Sequence, residues 1–242
     1  MKKITLIVSL AILFVFTGFV QTFADKSSKT EKPKITKKEQ KKLLDEEKLK
    51  NMSVDELRDL ISRGADVNMK NKEGYTPLFY ILTGKKTKEE SEQMVEKVKL
   101  LIEAGADVNA KNDTYWTPLH FATGSLGHIE EKSKTVVMMV DAGADINAQS
   151  DSGITAINWT IEPKIVPLLL KLGADPNIAD NNGETTLGHA EAQVDFWDTQ
   201  VLVNVTKNDI AGVREAKKFK SLFETKVKVL KAECEKLGIE LN

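Results

Sequence analysis

Apolar residues recur three and four apart in four stretches: Leu57, Leu60 and Ile61; Val95, Val98, Leu101 and Ile102; Val136, Val137 and Val140; and Ile165, Val166, Leu168 and Leu169. That spacing puts them on one side of a helix, so each stretch predicts an amphipathic helix with a buried face. Each is followed by a glycine, Gly64, Gly105, Gly143 or Gly173, the residue that supplies the positive φ of a helix C-terminus. A threonine stands twelve residues after every one of these glycines, at Thr76, Thr117, Thr155 and Thr185. Threonine is an N-cap, and Pro77 and Pro118 after it suit a first helical position that has no amide partner to lose. Between glycine and threonine lie Asp, Asn and a second glycine (Gly74, Gly153, Gly183), the composition of a turn or short hairpin. The pattern predicts helix, loop, helix, hairpin, four times over.

The repeated words are Gly64-Ala65-Asp66-Val67-Asn68, Gly105-Ala106-Asp107-Val108-Asn109, Gly143-Ala144-Asp145-Ile146-Asn147 and Gly173-Ala174-Asp175-Pro176-Asn177. The threonines open Thr76-Pro77-Leu78-Phe79, Thr117-Pro118-Leu119-His120, Thr155-Ala156-Ile157-Asn158 and Thr185-Thr186-Leu187-Gly188. In these words the chain resembles the ankyrin repeat family, with its T-P-L-H signature and period of roughly 33 residues. The resemblance implies an all-α solenoid of stacked helix-loop-helix units joined by β-hairpin turns, with helical caps at both ends. Successive glycines here are 41, 38 and 30 residues apart. With glycine to threonine constant, length changes must fall between the two helices of a unit, at about Thr83 to Glu92, Gly124 to Lys134 and Glu162-Pro163. Tyr115 stands where the other units have the turn glycine, which puts that hairpin's geometry in question.

Residues 1–24 read as a secretory signal. Lys2 and Lys3 precede an uncharged, mostly apolar run from Ile4 to Val20, and Thr22 and Ala24 make a small-residue exit with cleavage expected after Ala24. Export to the periplasm or beyond the cell follows. The competing reading is an uncleaved anchor, and only then is a membrane expected as a partner. Residues 25–35 read as a flexible linker, and 36–242 as the repeat domain: cap helices over 36–63, repeats over 64–191, and a C-terminal cap over 192–242. A capping box, Ser53-Val54-Asp55-Glu56, opens the first recognisable helix. The final stretch carries Val213, Ala216, Phe223, Val227, Leu230, Cys234 and Leu237 at mostly helical spacing. A capping helix is the simpler reading; a homodimer through 212–241 is the other.

The 35 Lys plus Arg nearly cancel the 36 Asp plus Glu, so nucleic acid is not an expected partner. A single cysteine, Cys234, excludes an intrachain disulfide and a CxxC pair. No phosphate-binding, nucleophile-elbow, HExxH or EF-hand pattern occurs. His120, His128 and His189 are scattered, and Asp66, Asp107, Asp145 and Asp175 are repeated because the loop is repeated. Neither catalysis, metal nor cofactor is expected; an enzyme in 192–242 is the remote alternative. The expected partner is another protein. Stacked units align the residue before each threonine, Tyr75, Trp116, Ile154 and Glu184, in a row at the hairpin tips, where Tyr and Trp are strong binding residues. Lys72, Glu73, Asp113, Thr114, Asp151, Ser152, Asn181 and Asn182 form its polar rim. The resemblance implies that the tips and the adjoining helix face are the recognition surface.

Overall fold

The computed structural model describes residues 33–84, 87–124, 128–207 and 209–241. The expected signal and cleavage over 1–24, and residues 25–32 of the expected linker, lie outside the described residues. Ile35–Asn242 forms one compact unit. Ile35, the last residue of the segment expected as a linker, packs on the core and opens the compact unit.

Eleven α-helices follow among the described residues: α1 Lys37–Lys42, α2 Glu46–Asn51, α3 Val54–Ser62, α4 Pro77–Leu82, α5 Lys88–Glu103, α6 Pro118–Gly124, α7 Ile129–Asp141, α8 Ala156–Trp159, α9 Val166–Lys171, α10 Thr186–Thr206 and α11 Ile210–Leu237. A 3-10 turn, Pro163–Ile165, leads into α9. The first helices of successive units (α2, α4, α6, α8, α10) stack in one column and the second helices (α3, α5, α7, α9 with its 3-10 turn, α11) in another. Between the columns lies the core, where Leu57, Leu78, Val98, Leu101, Leu119, Val136, Ile157 and Leu169 are almost wholly buried. Most residues of the predicted amphipathic faces meet there; Val95 and Val137 instead stay half-buried outside the central cluster, on an outer surface hollow.

The amino end departs from the sequence reading. The charged stretch 36–50, apolar only at Leu43, Leu44 and Leu49, reads as one solvated cap helix; instead Asp45 caps a new start and divides the segment into α1 and α2. The reason is burial: Leu43, Leu49 and Met52 all enter the core, and one straight helix could not aim them together. Ser53 accepts the Glu56 amide, but the Glu56 carboxylate turns to Lys42 at 2.8 Å, so the capping box is only half formed. Complete boxes stand at Thr36/Glu39 and Thr87/Glu90. Because of the second, the loop predicted over 83–92 becomes helical from Lys88, and α7 likewise takes up 129–134.

Each repeated loop is fixed from within and then tied to the next. The Asp66, Asp107, Asp145 and Asp175 carboxylates each accept the amide two residues on, at 2.8–3.0 Å. The asparagine of the same word bridges units: Asn109 donates Nδ2 to Gly143 O at 2.8 Å and accepts the Asp145 amide at 2.7 Å. Asn68 and Asn147 do the same. At the amino end Gln40 takes this role toward Asp66, and at the other end Asn177 donates to Glu240 O.

Residues 192–242 are no separate cap. Helix α10 runs unbroken across the expected boundary at 191, and α10 and α11 are the two helices of an elongated fifth unit. Its closing word is Gly238-Ile239-Glu240-Leu241-Asn242. Gly238 is left-handed (φ 67°), and the Ile239 amide returns to Cys234 O at 2.8 Å as the Ala106 amide returns to Leu101 O at 2.9 Å. The α11 seam, Ala216, Phe223, Leu230 and Cys234, is buried within the chain, so it is not free to pair two copies as the homodimer reading requires. Lys220, which interrupts that seam, pairs with Asp198 on α10 at 2.6 Å.

Three buried lysines complete helix ends. Lys97 donates to Lys50 O (2.7 Å) and Leu49 O (3.2 Å) in α2. Lys132 reaches Thr123 O in α6 at 3.4 Å, and Lys226 reaches Asn158 O in α8 at 2.9 Å. The last carbonyls of a short helix lack intrahelical donors, and a lysine amine supplies one. Desolvation lowers the proton affinity of all three, Lys132 to about 8 and Lys226 to about 7.

Candidate protein-binding site

The hairpins line up along one edge of the stack. Each is closed by two backbone bonds, as from the Asn112 amide to Trp116 O at 3.1 Å and back from the Tyr115 amide to Asn112 O at 3.0 Å, and a side chain at its start (Asn71, Asn112, Ser150, Asp180) accepts the amides two and four residues on. Neighbouring hairpins join through one backbone bond each, from the Asp113 amide to Glu73 O, the Asp151 amide to Thr114 O and the Asn181 amide to Ser152 O, each 3.0 Å, and Asn181 Nδ2 adds a bond to Asp151 O at 2.8 Å. Among the described residues no strand is formed. Close approach explains two of the turn glycines, Gly74 and Gly153; at Gly183 a Cβ would meet nothing within 4 Å, and its φ of 84° is what favours glycine. A Cβ on Gly74 would lie 2.8 Å from Asn112 Cα, and one on Gly153 2.8 Å from the Asn181 amide nitrogen. Tyr115 nevertheless keeps the same turn: it adopts φ 60°, and its amide bonds Asn112 O at 3.0 Å. The hairpin geometry survives, with the strain a side chain carries in that region.

The row Tyr75, Trp116, Ile154, Glu184 is displaced from its expected place. Residues 72–73, 113–114, 151–152 and 181–182 occupy the exposed turns, whereas the row sits at the hairpin base, where each strand-like arm runs into a first helix. Tyr75, Trp116 and Ile154 are half-buried there and Glu184 is exposed. Tyr75 packs edge-on against Phe79 (5.3 Å) and Phe121 (5.9 Å) and stacks on Tyr80 (5.9 Å). Trp116 meets His120 at 5.0 Å, Phe121 at 6.4 Å and Trp159 at 4.5 Å. The result is a continuous run of rings on the inner face of α4, α6 and α8.

Those rings line a groove of about 450 Å³, walled by Tyr75, Leu82, Thr83, Gly84, Asn112, Thr114, Trp116, Phe121, Gly124 and Trp159. Of the twelve residues expected at the site, only Tyr75, Trp116 and Thr114 line it. Ile154 contributes its carbonyl to His120 instead, and Glu184, Lys72, Glu73, Asp113, Asp151, Ser152, Asn181 and Asn182 lie outside the groove. Phe121 and Trp159 escaped the sequence reading, although both stand four residues after a repeat threonine, as does Tyr80. Trp159 is 44% exposed, the most open of the groove rings. Its indole fits over Gly124, where a Cβ would come within 1.9 Å of Nε1.

His120 is a structural histidine. It is fully buried; Nδ1 accepts from the Thr117 amide (3.2 Å) and lies 2.9 Å from its hydroxyl, and Nε2 lies 2.9 Å from Ile154 O. That pattern needs the neutral ring with its proton on Nε2, and desolvation lowers its proton affinity in the same direction. Phe79 replaces histidine in the preceding unit, which leaves Thr76 Oγ1 buried without a partner. Among the described residues no group of three or more His, Cys, Asp or Glu is placed to hold a metal.

A family model for ankyrin repeats, in three copies, matches residues 49–150. This segment belongs to the ankyrin repeat family. No curated protein matches the chain. The matched segment contains α3 to α7 and the first three of the hairpins' partner loops, and its two columns of helices make an all-α ankyrin solenoid. Ankyrin repeats are protein–protein interaction modules. The units beyond 150 continue the same stacking, so the groove, whose far wall is Trp159, crosses the edge of the matched segment.

Proposed function

We propose that the chain is an exported, non-catalytic interaction module that holds a segment of a partner protein in the aromatic groove of its second to fourth units. The observation that supports this most is the exposed Trp159 seated over Gly124 and edge-on to Trp116 at 4.5 Å. Aromatic side chains with part of the ring still open are the residues that dominate protein interfaces. Asn112 and Thr114 give the groove a polar margin, and the hairpin turns 72–73 and 113–114 stand beside it. Export rests on the basic-apolar-small pattern of residues 1–24.

The test uses the chain from Asp25 as bait on the cell-envelope extract of its source. Trp159→Ala opens the groove, and Thr114→Arg blocks it from the exposed margin without touching the core. Each variant should lose the captured partner while keeping the circular dichroism spectrum and thermal midpoint of the parent. Undiminished capture by both folded variants would move the binding surface off the groove.

A further inference from the structure

The fifth unit is lengthened in a way that packing does not explain. Gly173 and Gly238 are 65 residues apart, about twice the family period, and the excess forms the free end of the α10–α11 hairpin. All its core contacts are at the base: Leu187, Val229, Leu230, Cys234, Ile239 and Leu241 join the central cluster, and no described residue from 192 to 222 does. Beyond the base the two helices pack only on each other, with Trp197 stacked on Phe219 at 4.8 Å.

That free end is apolar where it should be wet. Leu202, Val205 and Ile210, on either side of the turn, are 67%, 57% and 72% exposed. The run Val201-Leu202-Val203-Asn204-Val205 is apolar around most of the helix, and such a helix wants cover on both sides. Basic residues surround this end. Lys207 stands at the turn, and Arg214, Lys217 and Lys218 follow Ile210 on the outer face of α11, all exposed and in no ion pair among the described residues. The acids of this end are Asp209, which caps α11 through the Gly212 amide at 2.9 Å, Glu215, and, farther back on α10, Asp195 and Asp198, the latter paired with Lys220 at 2.6 Å.

We propose that the free end of the α10–α11 hairpin docks end-on against an anionic phospholipid surface. At 1.5 Å per residue, Arg214 lies about 6 Å and Lys218 about 12 Å behind Ile210 along the helix. Val205 and Ile210 thus lead beside Lys207 at the turn, Leu202 lies about 6 Å back on α10 at the depth of Arg214, and the rest of the cationic band follows, which suits an apolar end sunk about 5–10 Å below a negative headgroup layer. Among the described residues no helix is long and apolar enough to cross a membrane; the hairpin touches and does not span. A second copy is a poor occupant, because a two-fold contact would set Lys207, Arg214, Lys217 and Lys218 against themselves. A protein groove is also a poor match, since the leading residues are aliphatic on a projecting end, without the Trp or Tyr that anchors such contacts.

The experiment takes the chain from Asp25, which keeps the compact unit whole and removes the apolar segment 4–20. Co-sedimentation with vesicles of phosphatidylcholine alone, or with about one third phosphatidylglycerol, reads the affinity. Binding should require the anionic lipid and fall about fivefold for each charge removed in the series Arg214→Gln, Lys217→Gln, Lys218→Gln. Leu202→Ser with Ile210→Ser should abolish it while the helical circular dichroism is unchanged. The proposal fails if the folded chain ignores anionic vesicles or if the variants bind like the parent. It also fails if sedimentation equilibrium shows a dimer that the Leu202→Ser, Ile210→Ser pair dissolves, which would assign the end to a second copy. Capture through the Trp159 groove is scored separately, so loss of one reading leaves the other standing.

Discussion

Lys226 offers the sharpest test of how the fifth unit is held to the array. Its side chain is 1% exposed, and its amine donates to the Asn158 carbonyl at the end of α8. Desolvation brings its proton affinity from 10.5 to about 7. At about 1.36 kcal/mol per tenfold, that displacement corresponds to roughly 4–5 kcal/mol held against the folded state wherever the unfolded chain keeps its ammonium. The native chain releases the proton at about pH 7 and the unfolded chain only near pH 10.5, so between these limits the unfolded state binds more protons. Stability therefore rises with pH across this window, by up to about 1.4 kcal/mol per pH unit, and the cost is fully present below it.

Lys226→Met removes the titrating group and nearly keeps the volume. It also leaves Asn158 O without its amine donor, a loss of about 1–3 kcal/mol. The variant should then be roughly 2–3 kcal/mol more stable than the parent near pH 6, with the gap closing toward pH 9 and reversing above it. Urea denaturation of both chains at intervals of about one pH unit gives the difference directly, because the other titrating groups cancel. A difference that stays constant from about pH 6 to 9.5 would refute the reasoning: the amine would then keep its ordinary proton affinity and the site would have to hold water or an anion beside it.

Two further outcomes follow from particular residues. Tyr115→Gly should raise stability by about 0.5–1 kcal/mol in urea denaturation, since it relieves a left-handed side-chain residue and is partly offset by the greater freedom of glycine in the unfolded chain. Asn109→Ala breaks two bonds between the second and third units, at 2.8 and 2.7 Å; it should cost about 1–3 kcal/mol and broaden the unfolding transition, because coupling in a repeat array runs only through neighbours.

What could be read in the sequence was whatever repeats at a fixed offset. Glycine to threonine is always twelve, so the hairpins, the helix starts and the loop-fixing aspartates were all visible. The asparagines that end the same words were equally regular. Their role as bridges was not legible, because a bond to the next unit needs the stacking distance, which no spacing within a unit contains. The fifth unit escaped for the opposite reason: its closing word is degenerate and displaced by some thirty inserted residues, so no common period reveals it. Gln40 was hidden in the same way, since it replaces a loop asparagine from the face of a helix that carries no repeat word.

The aromatic groove shows where register and exposure part company. Counting from threonine correctly aligns Tyr75, Trp116, Ile154 and Glu184, but alignment says nothing of whether a position faces the turn or the helix behind it. The hairpin's own bond decides this: the amide at its first arm pairs with the carbonyl of the row residue, as Asn112 with Trp116, so that residue belongs to the base and its side chain lies over the following helix. There Tyr75 meets Tyr80 and Trp116 meets Phe121, the residues four after threonine, and Trp116 also meets Trp159 of the next unit. The wall is built from Tyr75, Trp116, Phe121 and Trp159, the rings of the first three threonine units at these two positions. In the fourth, Glu184 and His189 occupy the two positions. The groove ends at Trp159 because the side chains that would extend it have changed chemistry there, while the backbone that would carry it continues.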